Sequence, residues 1–300
     1  MSSAQTARVR DLQEWVIEAL LKLAAFSSIA ITVGIIVVLV METVQFFGEV
    51  SMWEFLTGRE WTPLFSQKKF GVLPLFAGTA LTSLIAMAVA APLGLMSAVY
   101  LSEYTGRNVR NTIKPALEIL AAVPTVVYGY FALQLVTPAL QFFIPGLSGF
   151  NALSPGMVMG IMILPIISSL SEDALQAVPA SLREGSYALG ASRWQMVFSV
   201  AIPAAFSGIV SAFLLGVARA VGETMIVAIA AGLQPRLTFN PLVPIETVTS
   251  YIVQVSMGDT PTGSLEYKTI FAVGMSLFLV TFILNASGAW MRERFHEVYE

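Results

Sequence analysis

Cysteine is absent from this chain of 300 residues, which removes disulfides, thiolate metal sites and cysteine nucleophiles. Histidine occurs once, at His296 in a polar tail. Imidazole-based metal binding and acid–base catalysis therefore have no cluster to work with, and no metal site is expected. No GxxxxGK[ST] sequence occurs either, so the chain lacks that loop for gripping nucleotide phosphates. Charge is scarce, at 12% of residues against 56% hydrophobic, and the mean hydropathy of +0.76 lies far from a soluble globular profile. A net charge of −3 gives no reason to expect a nucleic-acid partner. What is present is a series of nearly uncharged runs, several of which reach the roughly 20 residues that cross a bilayer as a helix. These runs define an all-α, polytopic membrane protein set in lipid.

About six transmembrane helices are expected. Residues 1–22 read as an amphipathic cytoplasmic helix, with Leu12, Trp15, Val16, Ala19 and Leu20 at helical spacing around Arg10, Asp11 and Glu14. The first span covers 23–47. A core of five further spans occupies 74–291: Pro74–Leu101, Pro115–Leu140, Leu153–Leu170, Ala204–Gly232 and Thr269–Met291. A cytoplasmic loop, 175–203, interrupts this core, and a tail of 292–300 follows it. With the N-terminus inside, ten basic residues fall on the cytoplasmic side, including Arg107, Arg110, Lys114, Arg183 and Arg193. Five fall outside (Arg59, Lys68, Lys69, Arg236 and Lys268), and Arg219 lies within a span. The excess of basic residues places both termini and the 175–203 loop in the cytoplasm.

That loop is polar and helix-compatible between two apolar runs. Ser181 with Glu184 three residues on has the form of a capping box. Gly190 permits a turn that a Cβ would strain. Ser192 can start a second short helix from Arg193 to Val200, and Pro203 opens the next span at a tolerated first-turn position. Spacing alone leaves two readings open, a solvated hairpin and a docking element for another protein.

The second place with chemistry is Arg219 and Glu223. Arg219 lies roughly 20 Å along the fifth span at 1.5 Å per residue. A charge there costs at least about 2.5–3.5 kcal/mol on insertion scales, so it should face protein, water or a partner charge. Glu223 falls one turn further on the same face. Either the pair neutralises itself or holds helices together, or it forms an anion-conducting site. In the second case the guanidinium would offer bidentate bonds to an oxyanion, and the carboxylate would keep that grip weak enough for release. Thr79, Thr82 and Ser83 share a helical face; hydroxyls there can line a pathway, but helix packing is the commoner use. Glu118, four residues after Lys114, is expected to form a structural pair with it. Ile245, Val248, Ile252 and Val255 mark a short amphipathic helix in the second outer loop.

The loop residues also carry a resemblance. Glu184-Gly185-Ser186, then Gly190, then Val200-Ala201-Ile202-Pro203 resembles the "EAA" signature of ABC-importer permeases, departing from it at Gly185 and Ser186, where alanines are usual. WTPLF, FGVLPLFAGT and SAVYLSEY (61–104), AAVPTVVYGYFAL (121–133), LPIISSLSEDALQAVP (164–179) and ARAVGETM (218–225) extend it over nearly the whole chain. Together they resemble the PstC-type permeases of the phosphate-specific ABC importer. The resemblance implies a type I ABC-importer permease fold, the MetI-like architecture. It implies ATPase docking at Glu184, Gly185, Ser186, Tyr187, Ala188, Gly190 and Ala191, and a phosphate pathway at Arg219 and Glu223. It further implies a bacterial inner-membrane location and the partners of such an importer. These are a second, PstA-like permease, two PstB-like ATPase subunits that bind the ATP and Mg, and an extracytoplasmic PstS-like phosphate-binding protein. No cofactor is expected in this chain, which is then a pore-forming subunit and not an enzyme. The alternatives are a permease for sulfate, molybdate or phosphonate, and a secondary transporter. The latter should display paired repeats with broken helices.

Overall fold

The computed structural model describes residues 3–294, with side chains for residues 14–106 and 108–290. His296 and most of the tail at 292–300 lie outside the described residues, as do the side chains of Arg8, Arg10, Arg107, Arg292 and Arg294. Among the described residues the regular structure is helical, and strand-like pairing is confined to two isolated bridges. Among the described residues, five helices are long and apolar enough to span a bilayer, and a bent pair counted as one span makes a sixth.

Helix α1 (Ser3–Glu49) runs without a break. The separate amphipathic helix expected over 1–22 is therefore not set apart from the first span, and residues 14–22 are exposed on every side. Without a Gly, Pro or capping residue between them, the polar start and the apolar run propagate as one helix. A short helix, α2 (Met52–Thr57), leads to α3 (Leu73–Val99), which continues as a π-wound turn over Tyr100–Tyr104.

The third span is also corrected. Residues Arg107–Ala122 form an amphipathic helix, α4, that ends at Val123. The span proper starts after Pro124 as α5 (Thr125–Phe131), passes a π turn at Ala132–Val136 and ends as α6 (Thr137–Phe143). Pro124 pushes Val123 out of the helical region (ψ 130°) and supplies no N–H, so the helix stops there. Pro115, by contrast, is accommodated inside α4. Helix α7 (Leu153–Gln176) is longer than the expected span.

The 175–203 loop folds as α8 (Ala180–Ala188) and α9 (Arg193–Met196), followed by a π turn at Val197–Ala201 and a short α10 (Ile202–Ala204). At Ala205 the chain bends by 72° into α11 (Phe206–Val221). The fifth span is thus not one helix from 204 to 232, because Gly222 ends α11 and α12 (Met225–Ala230) restarts after Thr224. A short helix, α13 (Val248–Ser256), and the last span, α14 (Leu265–Arg294), complete the fold. The amphipathic helix expected around 245–255 is α13; Ile245 precedes it in the loop.

The core centres on α3 against α7, the most extensive packing in the molecule. Gly156 and Gly160 make it possible: a Cβ on Gly160 would come within 2.8 Å of the Ala86 carbonyl oxygen and of Val89. Small residues four apart let helix backbones approach closely where lipid supplies no hydrophobic drive. A second cluster, at one end of the bundle, is aromatic, with Phe46, Phe55, Trp61, Phe70 and Tyr251 meeting edge to face. A third, at the opposite end, buries Met196, Val197 and Ala201 against Ala98, Leu175 and Ile209, which seats the 175–203 loop on α3, α7 and α11.

Candidate functional sites

The 175–203 loop presents two faces. Leu182, Arg183 and Ser186 are half-buried toward the spans, whereas Glu184, Gly185, Tyr187, Ala188 and Gly190 are exposed and Ala191 is half-buried. Gly190 has φ +83°, the left-handed conformation that glycine adopts without strain. Ser192 caps α9 with a reciprocal capping box to Gln195, as its position led us to expect. The box proposed at Ser181 and Glu184 does not form. Pro179 is the cap residue there and Ser181 lies inside α8, because proline already fixes the backbone for helix entry. The exposed side includes Tyr187, Leu189 and Trp194, with Leu189 91% exposed. Large apolar side chains on a polar, solvent-facing loop are what a protein interface needs.

Around the loop, ion pairs tie the same end of the bundle together. The Glu172 carboxylate, fully buried on α7, pairs with Arg110 and with Lys114 (3.0 Å) from α4. Lys114 also reaches Asp173 at 2.8 Å. Burial opposes the charge on Lys114, but the hydrogen bonds to Asp173 and Glu172 outweigh it and hold its pKa above the ordinary value. The structural partners of Lys114 are therefore these two acids and not Glu118. Glu103 on the π turn after α3 pairs with Arg183 of α8 at 3.0 Å. Arg110, Lys114, Arg183 and Arg193, which the charge count assigns to one side, do gather at one end.

Arg219 and Glu223 are brought together, but not along one helix. Arg219 is in the last turn of α11, and Glu223 lies beyond its end, after Gly222. Arg219 Nη1 donates to Glu223 Oε2 at 2.6 Å, and its Nη2 lies 3.6 Å from Met162 Sδ. Glu223 Oε1 accepts from the backbone N–H groups of Met225 and Ile226 (3.1 and 3.4 Å), and its carbonyl accepts from Thr249 Oγ1 at 2.6 Å. The glutamate is thus fixed and only 3% exposed, while the arginine side chain is 38% exposed. A fixed, buried carboxylate holding a half-open guanidinium presents positive charge at the surface of a membrane segment.

The hydroxyl group of three divides. Thr79 donates to the Leu75 carbonyl and accepts from the Val248 N–H (2.9 and 3.1 Å), and Thr82 donates to the Gly78 carbonyl. Both act in packing, Thr79 by holding α13 to α3. Ser83 is buried, and its hydroxyl has no hydrogen-bond partner among the described residues.

Sequence reasoning passed over a cleft lined by Trp61, Phe65, Arg236, Glu246, Tyr251 and Gln254. Glu246 is 1% exposed, and burial pushes its pKa up to about 8. A glutamate in a polar-looking loop carries no local sign of such burial.

Comparison with known proteins gives these features a context. Residues 90–297 match the family described as binding-protein-dependent transport system inner membrane component. The chain is 38% identical over 261 residues to the probable ABC transporter permease protein YqgH of Bacillus subtilis (strain 168), covering 86% of this chain and 84% of the relative. It is 34% identical to the phosphate transport system permease protein PstC of Mesorhizobium japonicum, covering 81% and 79% of the two chains. PstC of Haemophilus influenzae is 30% identical, covering 88% and 87%. In fold, the chain is similar to a bacterial alginate ABC transporter, solved with its alginate pentasaccharide-bound periplasmic protein (TM-score 0.65, 16% identity, 96% of this chain and 97% of that one). It is also similar to the inward-facing MetNI methionine ABC transporter (TM-score 0.58, 17% identity, 83% and 99%). The MetI-like ABC-importer fold and the helical bundle agree.

The chain is a membrane-embedded permease subunit of an ABC importer, pore-forming and without the ATPase, which is a separate subunit. It belongs to the binding-protein-dependent transport system inner membrane component family and is similar to the PstC phosphate permeases. It is a multi-pass inner-membrane protein, and such a permease works with a partner permease, an ATPase and a substrate-binding protein.

Proposed function

We propose that this permease imports inorganic phosphate and that Arg219 is the group the anion meets on its way. The observation that carries this reading is the Arg219–Glu223 arrangement, a half-open guanidinium held by a buried, immobile acid inside the membrane region. The Nε–Nη2 edge of the guanidinium, whose Nη2 meets the weak acceptor Met162 Sδ at 3.6 Å, offers two parallel N–H donors to one phosphate. Glu223 already occupies Nη1, so the bound anion never takes the whole guanidinium, which favours release over trapping. The similarity to PstC proteins over most of the chain supports phosphate as the solute.

The driving force enters at the 175–203 loop. Glu184, Gly185, Ser186, Tyr187, Ala188, Gly190 and Ala191 form the docking element for the cytoplasmic ATPase, with Tyr187 and Leu189 as its apolar contacts. ATP and Mg are bound by that subunit, both termini of this chain are cytoplasmic, and a phosphate-binding protein docks on the side of α13. The domain boundaries follow, with the 175–203 loop interrupting the permease core of 74–291.

The test is radiolabelled phosphate uptake in vesicles containing the assembled importer. ATP-dependent uptake that excess unlabelled phosphate blocks and excess sulfate does not is the expected result. Equal block by sulfate, or no uptake at all, contradicts the assignment.

A further inference from the structure

Two cations from the cytoplasmic loop reach the same point on the spans. Arg183 Nη2, on α8, lies 3.0 Å from Glu103 Oε1 and donates at 2.6 Å to the carbonyl of Leu175, in the last turn of α7. Ten residues on, Arg193 at the start of α9 places its guanidinium 5.4 Å from the centre of the Tyr104 ring. Glu103 and Tyr104 are adjacent, in the π-wound turn that ends the α3 span. Both arms of the loop therefore close on one dipeptide.

The composition of this joint argues for a moving part. Glu103 is 6% exposed and also accepts from Ser102 Oγ at 2.9 Å, so its carboxylate is a firm anchor. Arg183 is less fully engaged. Its Nη2 makes both contacts, and its Nε is buried without a hydrogen-bond partner. Orphaned buried donors are rare in settled structure. π turns inside α-helices concentrate at functional positions. Arg183 points inward from α8 while the next residue, Glu184, is exposed. Arg183 is therefore the direct polar link from α8 to Glu103. The neighbouring Arg110–Lys114–Glu172 cluster pins α4 to α7 and does not involve α8.

We propose that Arg183 is the positioning residue that transmits movement of the docked loop to the Glu103–Tyr104 end of α3, and thereby couples ATP hydrolysis in a separate subunit to rearrangement of these spans. The proposal rests on the reading of this loop as the ATPase docking element.

The experiment uses the assembled importer in proteoliposomes, with copurified ATPase, ATP hydrolysis and radiolabelled phosphate uptake measured on each variant. Because the chain has no cysteine, a fluorophore on Met96→Cys reports ATP-driven movement of α3 without reference to solute. Arg183→Gln and Glu103→Gln are each expected to retain the ATPase and its hydrolysis. Uptake per ATP should fall about tenfold, the size of a lost coupling interaction, and the ATP-dependent fluorescence change should shrink with it. The double variant should fall no further than either single one, since both remove the same interaction. Arg183→Lys, which keeps a cation near Glu103, should recover most of the ratio. Wild-type uptake per ATP in either Gln variant, losses that multiply in the double variant, no recovery in Arg183→Lys, or hydrolysis lost in step with uptake each overturns the proposal. Glu184→Lys isolates the underlying docking reading. If that variant still binds the ATPase normally, docking at this loop is wrong, whatever Arg183 does.

Discussion

Two of the arginine–glutamate pairs in this permease, Arg183–Glu103 and Arg219–Glu223, are built alike and placed differently. In each, a nearly buried carboxylate holds a more open guanidinium: Arg183 is 24% exposed over Glu103 at 6%, and Arg219 is 38% exposed over Glu223 at 3%. The difference lies in what each pair joins. Glu103 and Arg183 come from distant parts of the chain, one ending a span and the other on a helix of the 175–203 loop. Arg219 and Glu223 are four positions apart across the end of one helix. A bridge between distant elements fixes their relative placement, so disturbing it alters how they move. A local pair has little such leverage, and its product is a positioned charge. One pair is suited to carrying force, the other to meeting an anion.

The sharpest way to break this contrast is upstream of both pairs. Glu184→Lys should remove the copurifying ATPase and reduce phosphate uptake to background, while ordinary membrane insertion of the chain persists on a fractionation gel. Retained ATPase would leave the force-carrying half of the comparison without a source. Next in size is Glu223→Gln. Its remaining amide oxygen can still accept from Met225 and Ile226, so α12 should stay in place while the charge partner of Arg219 is lost. Uptake should fall about ten- to a hundredfold, in line with losing one charged hydrogen bond of about 1.5–3 kcal/mol, with the apparent affinity for phosphate rising. An uptake loss with no affinity change would mean that the pair is only structural.

Gly160→Val tests the frame on which both pairs depend. The added side chain meets the Ala86 carbonyl and Val89, and overpacking of about 1–3 kcal/mol should lower the melting temperature measurably. Both pairs should weaken together, unlike the selective effects above.

The smallest expected effect belongs to Glu246, an acid for which no cation partner is observed among the described residues. Its pKa rises from the ordinary 4.5 to about 8 through burial. Below 4.5 the folded and unfolded states are both protonated. Between 4.5 and 8 the unfolded chain loses its proton while the folded one keeps it, so stability falls as pH rises through this window. Glu246→Gln removes that dependence. Its melting temperature should match the wild type near pH 5 and exceed it increasingly toward pH 9. A constant difference across that range would show that Glu246 is not protonated in the folded protein.

Much of this architecture was legible because its signals are local. Uncharged runs marked the spans, Gly190 and Ser192 punctuated the loop, and Arg219 stood out as a lone cation in apolar surroundings. What escaped was long-range or ambiguous. Lys114 has Glu118 one turn away in sequence, but its acids are Glu172 and Asp173, brought near by the packing of α4 on α7. Two prolines competed to begin the third span, and only Pro124 breaks the helix. The break at Gly222 was hidden by continuous hydropathy on both sides. One missed signal was present: Gly156 and Gly160 stand at the four-residue spacing that marks close helix packing.

Arg219→Gln puts the central claim to its most direct test. Proteoliposomes carrying the assembled importer with this variant should retain the ATPase and hydrolyse ATP, yet accumulate no radiolabelled phosphate. Accumulation at the wild-type rate would contradict the account.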